Sequence, residues 1–223
     1  MFQPERMFSD RREAGRELAR LLPASLRSDD VVVLALPRGG VPVAFEIAQA
    51  LGAPLDVFLV RKLGTPGHPE LAMGAIASGG IRVLNDEVVE YLNIPRDLID
   101  AVAEREQAEL ERREAAYRQG RPMPSLRNRT VILVDDGLAT GSTMKAAVEA
   151  AKHEQPTRVI VAVPVGAPET CRELANRADE VICARMPTPF SAVGQWYRDF
   201  TQTTDEEVKN LLTASGRPQP QPR

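Results

Sequence analysis

The sequence predicts an α/β fold, a doubly wound and mostly parallel sheet with helices on both faces. Short apolar runs rich in β-formers, VVVLAL (31–36), LDVFLV (55–60), 130–134, RVIVAV (158–163) and 180–184, alternate with stretches of helix formers. VVVLAL is apolar throughout, as a strand covered on both faces is. The recurring order of strand, loop and helix joins neighbouring strands through helical crossovers and so makes them parallel.

In chain order, Ser9 is placed to cap a first helix in which Ala14, Leu18, Leu21 and Leu22 share a face. VVVLAL follows as the first core strand, then the tetrapeptide PRGG (37–40), then the helix VPVAFEIAQAL closed by Gly52. LDVFLV is the second strand. Glycines and prolines in RKLGTPGHPELAMG (61–74) predict a mobile loop over Leu63 to Met73, without a paired strand. AIAS-GG-IRVL reads as a hairpin turning at Gly79 and Gly80. From Pro95 to Gln119 charges dominate, and Leu98, Val102, Leu110 and Tyr117 form a thin apolar stripe. This predicts an exposed helix with a solvated face, stopped by Gly120. Strand 130–134, helix 142–153, strand 158–163, helix 168–177 and strand 180–184 complete the alternation. Residues 1–212 read as one domain, and TASGRPQPQPR (213–223) as a disordered tail.

At 223 residues and 43% hydrophobic, the chain can bury one substantial core. A formal charge of −3 gives no global attraction to nucleic acid or an anionic membrane, so any anion must be bound locally. Cys171 and Cys183 lie in apolar runs and read as buried thiols of a reducing compartment; two histidines are too few for a zinc site. No run has transmembrane length, and the charged N-terminus lacks the apolar segment of a signal peptide, so a cytoplasmic location is expected.

The chemistry concentrates in VILVDDGLATGST (131–143). Four apolar residues form a strand, two acids stand at its solvent-facing tip, and a small-residue loop opens the next helix. The helix mouth, with outward N–H groups and a positive dipole end, favours an anion at Thr140 to Thr143. Asp135 and Asp136 would accept hydrogen bonds from hydroxyls or hold a divalent cation. A ribose 5-phosphate unit suits both halves. In open parallel sheets ligands bind beyond the carboxyl ends of the strands. Two further loops lie at that edge: PRGG, where Arg38 supplies a guanidinium and Gly39 and Gly40 permit close backbone approach, and Arg61 with Lys62 after the second strand.

VILVDDGLATGST resembles the phosphoribosyl-pyrophosphate (PRPP) motif of the type I phosphoribosyltransferases: a hydrophobic strand, two acids, two variable residues, a small residue and Thr-Gly-x-Thr. The order of a short loop at Pro37 to Gly40 and an Arg-Lys pair before a flexible loop is similar too, and the likeness spans about residues 30 to 200. It resembles most a subgroup whose acceptor no motif assigns. The resemblance implies that family's parallel sheet with a small hood and a β-hairpin flexible-loop region. It implies Mg²⁺-dependent transfer of the 5-phosphoribosyl group from PRPP to a nitrogenous base, with release of pyrophosphate, as in purine or pyrimidine salvage. Asp135 and Asp136 would hold the ribose hydroxyls, and Ala139, Thr140, Gly141, Ser142 and Thr143 the 5′-phosphate. Arg38, Gly39, Gly40, Arg61 and Lys62 would face the pyrophosphate, with Mg²⁺ bound mainly through PRPP and through Asp135 and Asp136. The helix at 95–119 departs from the common core and carries no inference about chemistry.

MPTPFSAVGQWYRDF (186–200) holds the only tryptophan and reads either as a core-packing loop or as a hood whose Phe190, Val193, Trp196 and Tyr197 cover a planar acceptor. His68 and Glu70 read as a solvated loop pair, with proton transfer as the alternative, and His153 as a helix-end surface residue. GLATGST lacks the lysine of a Walker A loop, and PRGGVPVAF lacks the G-x-G-x-x-G spacing. The rival from another class is a PRPP- or nucleotide-sensing regulator on the same fold. A homodimer is compatible with either.

Overall fold

A computed structural model describes residues 7–27 and 30–215. Its centre is a five-stranded parallel sheet in the order β2-β1-β6-β7-β8, with β1 at Val31–Ala35, β2 at Leu55–Val57, β6 at Thr130–Val134, β7 at Arg158–Val165 and β8 at Glu180–Arg185. A separate antiparallel sheet contains β3 (Val60–Thr65), β4 (His68–Ala77) and β5 (Ile81–Leu84).

The period of two along each strand divides the interior. Val33, Ala35, Ile132, Val134, Ile160 and Ala162 enter one core, which also takes side chains of α1 (Arg11–Leu21), α2 (Gly40–Leu51), α4 (Arg96–Arg118) and α7 (Asp205–Ser215). The short α3 (Asp86–Tyr91) lies between β5 and α4 in the chain. Val32, Leu34, Val131, Leu133, Val159 and Val161 enter the other core, against α5 (Ser142–His153) and α6 (Pro168–Ala175). Fully burying one such aliphatic side chain contributes about 1.5–3 kcal/mol. A register slip of one residue would exchange every residue between these cores, so the pairing of β1 with β6 is strongly specified. Among the described residues no helix is long and apolar enough to cross a membrane.

Several elements differ from expectation. The cap of α1 is Asp10, whose side chain accepts from the Glu13 N–H, rather than Ser9. Leu21 is 55% exposed because it falls on the outer face. The run 55–60 is not one strand: β2 ends at Val57, and β3 leaves at Val60 for the second sheet. Leu63 to Met73 is paired rather than irregular. Its Pro and Gly are absorbed by a turn between Thr65 and His68 and by register irregularities around Gly64, so β3 and β4 pair on both sides of them. The hairpin expected at Gly79 and Gly80 is present, turning through Ser78–Gly80 between β4 and β5.

Helix α4 is also less solvated than expected. Leu98 is 39% exposed while its neighbour Ile99 is buried, so the buried stripe runs Ile99, Val102, Ala103, Leu110 and Tyr117 and docks in the first core. Its last turn is clamped by Arg118, itself buried, whose Nε stands 3.0 Å from Asp56 Oδ2 and whose Nη2 donates to Val57 O at 2.9 Å. The final helix α7 had no counterpart in the sequence reading. Residues 213–215 belong to it, and the remainder of the expected tail lies outside the described residues.

Candidate active site

Because β1 and β6 are parallel neighbours, the loops that follow them meet at one edge of the sheet. Gly39 packs directly on the second acid: a Cβ there would stand 2.0 Å from Asp136 Oδ2. One at Gly40 would stand 2.6 Å from Val134 O. These positions exclude a side chain because two loops join there, a reason independent of any ligand. The Pro37–Arg38 peptide in this loop is cis.

The acids are half-buried rather than at a solvated tip. Asp135 Oδ1 accepts from the Asp136 N–H at 2.8 Å. Asp136 Oδ2 accepts from Arg11 Nε at 2.8 Å, and Asp136 O accepts from the Tyr197 hydroxyl at 2.6 Å. Burial pushes the Asp135 carboxyl well above its ordinary value, and the adjacent Asp136 raises it further. Burial also raises Asp136, while Arg11 pulls it part of the way back. Arg11 is only 9% exposed; it donates from Nη1 to Thr201 O at 2.8 Å, and its guanidinium carbon lies 3.9 Å from the Phe200 ring centroid. Nothing local in the sequence marks this arginine, which sits 125 residues from its partner.

Beyond the acids the chain makes the expected helix mouth. Gly141 adopts φ 66° as the cap of α5, and no side chain caps that helix. Ala139, Thr140, Ser142 and Thr143 are exposed, leaving first-turn N–H groups open to an anion. The loop is anchored from behind: the Thr170 hydroxyl donates to Ala139 O at 2.6 Å, and the Leu138 N–H to Val165 O at 2.9 Å.

On the other side of the β1 loop lies a cavity of 330 Å³ whose polar lining includes Arg38, Arg61, Arg112, Arg113, Tyr117 and Asp205. The Tyr117 hydroxyl donates to Asp205 Oδ1 at 2.7 Å, and Arg38 Nη1 lies 3.6 Å from the same oxygen. Burial, then Asp205, push the Tyr117 phenol up to about 12. Arg61 lines the cavity and donates from Nε to Glu106 Oε2 of α4 at 2.7 Å. Lys62 is its neighbour on β3 and projects to the opposite face of the strand, so the two expected cations separate. Sequence reasoning missed Arg112, Arg113 and Asp205. A signal was present for Arg113, which stands three residues after Leu110 and four before Tyr117, at helical spacing beside the buried stripe.

The hood segment packs largely as core. Phe190, Val193 and Trp196 are partly buried against Phe8, Ala14, Val165 and Tyr197. Tyr197 is 3% exposed, so its ring has no face free for stacking. Phe200 is 37% exposed. His68 lies on β4, away from the acid pair in sequence and sheet, and His153 ends α5. Cys171 is buried and Cys183 half-buried, both as free thiols. Among the described residues no three His, Cys, Asp or Glu side chains gather as metal ligands.

Residues 8–195 match the phosphoribosyl transferase domain family. Over 212 residues, 95% of this chain, it is 50% identical to proteins of two Mycobacterium tuberculosis strains, H37Rv and CDC 1551 / Oshkosh, whose names propose a phosphoribosyl transferase. The chain spans about half the length of these relatives, 48%. The crystal structure of TT1426 from Thermus thermophilus is similar at 46% identity with a TM-score of 0.85, covering 93% of this chain and 98% of that one.

Proposed function

As this chain belongs to the phosphoribosyl transferase family, we propose that it binds PRPP and transfers the 5-phosphoribosyl group to a nitrogenous base, releasing pyrophosphate. The observation that supports this most is the packing of Gly39 on the Asp136 carboxylate. It makes the acid pair, the open mouth of α5 and the arginine-lined cavity parts of one continuous edge.

In this reading the N–H groups at Thr140 to Thr143 hold the 5′-phosphate, and Asp135 and Asp136 accept hydrogen bonds from the ribose hydroxyls. Departure of pyrophosphate leaves positive charge on the ribose and negative charge on the leaving group. The carboxylates lie where the first develops, and Arg38 and Arg61 where the second does. Arg11 fixes the Asp136 carboxylate in one orientation through its Nε.

Asp135 and Asp136 also fit a shared Mg²⁺. Their carboxyl groups are adjacent, and the burial and mutual repulsion that raise Asp135 are relieved by a nearby cation. The remaining ligands would come from PRPP and water, since no third protein ligand gathers there among the described residues. When bound, the ion would neutralise charge on the departing pyrophosphate.

The test is a panel of purines, pyrimidines and other nitrogen heterocycles, read as pyrophosphate release from PRPP in Mg²⁺. Release that needs one of these bases and stops with EDTA is expected. PRPP binding without release for any base would favour a sensor, and absence of PRPP binding would overturn the reading.

A further inference from the structure

We propose that helix α4 is a working wall of the cavity beside the β1 loop, and that Arg112 and Arg113 bind the diphosphate group of the ligand together with Arg38 and Arg61. The cavity brings four guanidinium groups from three parts of the chain around 330 Å³: Arg38 from the β1 loop, Arg61 from β3, and Arg112 and Arg113 from α4. Against them the lining places one carboxylate, Asp205, which the Tyr117 hydroxyl already engages. A half-open pocket with that excess of cationic donors suits a compact polyanion.

The partners of Arg112 and Arg113 on their own helix leave donors available. Glu109, one turn earlier on α4, takes Arg112 Nε at 2.8 Å, Arg112 Nη2 at 3.0 Å and Arg113 Nε at 2.7 Å. Each guanidinium carries five N–H donors, so both keep some for another acceptor. Arg112 and Arg113 side chains are 68% and 49% exposed, so neither is committed to holding the fold. The pairs on an open helix surface are weak, whereas a diphosphate accepts several charge-assisted bonds at once. Helix α4 is held rigidly enough to position them: its Leu110 and Tyr117 are buried on either side of Arg113, and Arg118 clamps its end to β2.

The PRPP arm of the proposal rests on the donor reading given above; the diphosphate arm does not. The experiment is isothermal titration of the wild type, R112Q/R113Q and R112K/R113K with PRPP, inorganic diphosphate and ribose 5-phosphate, each in Mg²⁺. The expected result for R112Q/R113Q is a loss of about tenfold or more in affinity for PRPP and diphosphate, with ribose 5-phosphate within about twofold and the melting temperature unchanged. The lysine variant should recover part of the loss, because charge returns without the bidentate fork. Unchanged diphosphate affinity would overturn the proposal, as would an equal loss for all three ligands, which marks a diffuse field. A wild type that binds diphosphate but not PRPP would refute the donor reading, and loss of that binding in R112Q/R113Q would still support the cavity.

Discussion

Arg11 Nε meets Asp136 Oδ2 at 2.8 Å, joining the first helix to the acid pair that follows the central strand. The contact fixes one carboxylate oxygen and offsets part of the cost of burying its charge. Replacing Arg11 with Met removes the counter-charge and the guanidinium that lies over Phe200 while keeping much of the aliphatic stem. The Asp136 carboxyl then rises further, so the acidic limb of PRPP binding should move to higher pH. Affinity at neutral pH should drop by about tenfold, and Arg11→Lys should restore part of it. Titrations with PRPP across pH, with circular dichroism confirming the fold, measure this. A limb that does not move would show that Arg11 acts only in packing.

Asp135 predicts a trade between stability and binding. Its folded pKa lies above the ordinary 3.8. The stability linked to such a group is full below the unfolded value and is lost as pH rises through the folded value, because the folded state holds the proton more tightly. As pH rises from the ordinary carboxylate value toward neutral, that contribution is progressively lost. Asp135→Asn should raise the protein's stability at pH 7 by about 1 kcal/mol and weaken PRPP binding by about tenfold or more. The stabilisation should shrink as pH falls toward 3.8. Thermal melts over that range decide it, and a variant less stable than wild type at pH 7 would contradict it.

What the sequence made legible follows from what kind of interaction fixes each feature. Thr130–Val134 and Ser142–His153 have the boundaries that the run 131–143 implies, because a buried apolar strand and a glycine-capped helix are encoded within a few residues. The site's other walls are not local. Arg11 reaches Asp136 only after α1 packs beside α2 and the segment at 197–201 folds over it. The Gly- and Pro-containing segment after Arg61 reads as irregular because turn residues dominate it, yet cross-strand pairing with β4 absorbs them. In α4 the abundance of charge hid that Glu106 lies on the same stripe as Leu110 and Tyr117, where a charged side chain faces protein rather than water.

Glu106 holds Arg61, so the two residues should affect diphosphate binding in opposite directions. Arg61→Gln removes a cation from the cavity and should lower affinity about tenfold. Glu106→Gln removes a competing carboxylate, 15% exposed, and should tighten binding by about twofold to fivefold. Both effects should diminish in high salt, the second more completely. Titration of inorganic diphosphate at two ionic strengths tests the pair. A weaker Glu106→Gln complex would mean that the glutamate positions Arg61 for the ligand instead of competing for it.

The buried pair Arg118 and Asp56 makes α4 depend on an arginine that no ligand reaches. Burial is the largest influence on the Asp56 carboxyl and raises it, while Arg118 lowers it. Arg118→Met leaves that carboxylate enclosed without its partner, a change that costs about 3–5 kcal/mol where a buried pair is broken on one side. Without the guanidinium the folded pKa of Asp56 climbs higher still. The proton-linked contribution is then full below the unfolded value and lost as pH rises through the folded one, so the deficit should be largest at neutral pH and shrink on acidification. Asp56→Asn with Arg118→Met should recover part of the loss, because the stranded charge is gone. Urea unfolding of both variants at pH 7 and pH 5 measures these differences. If the single variant loses the same stability at both pH values, the damage lies in the packing of α4 and not in the stranded charge of Asp56.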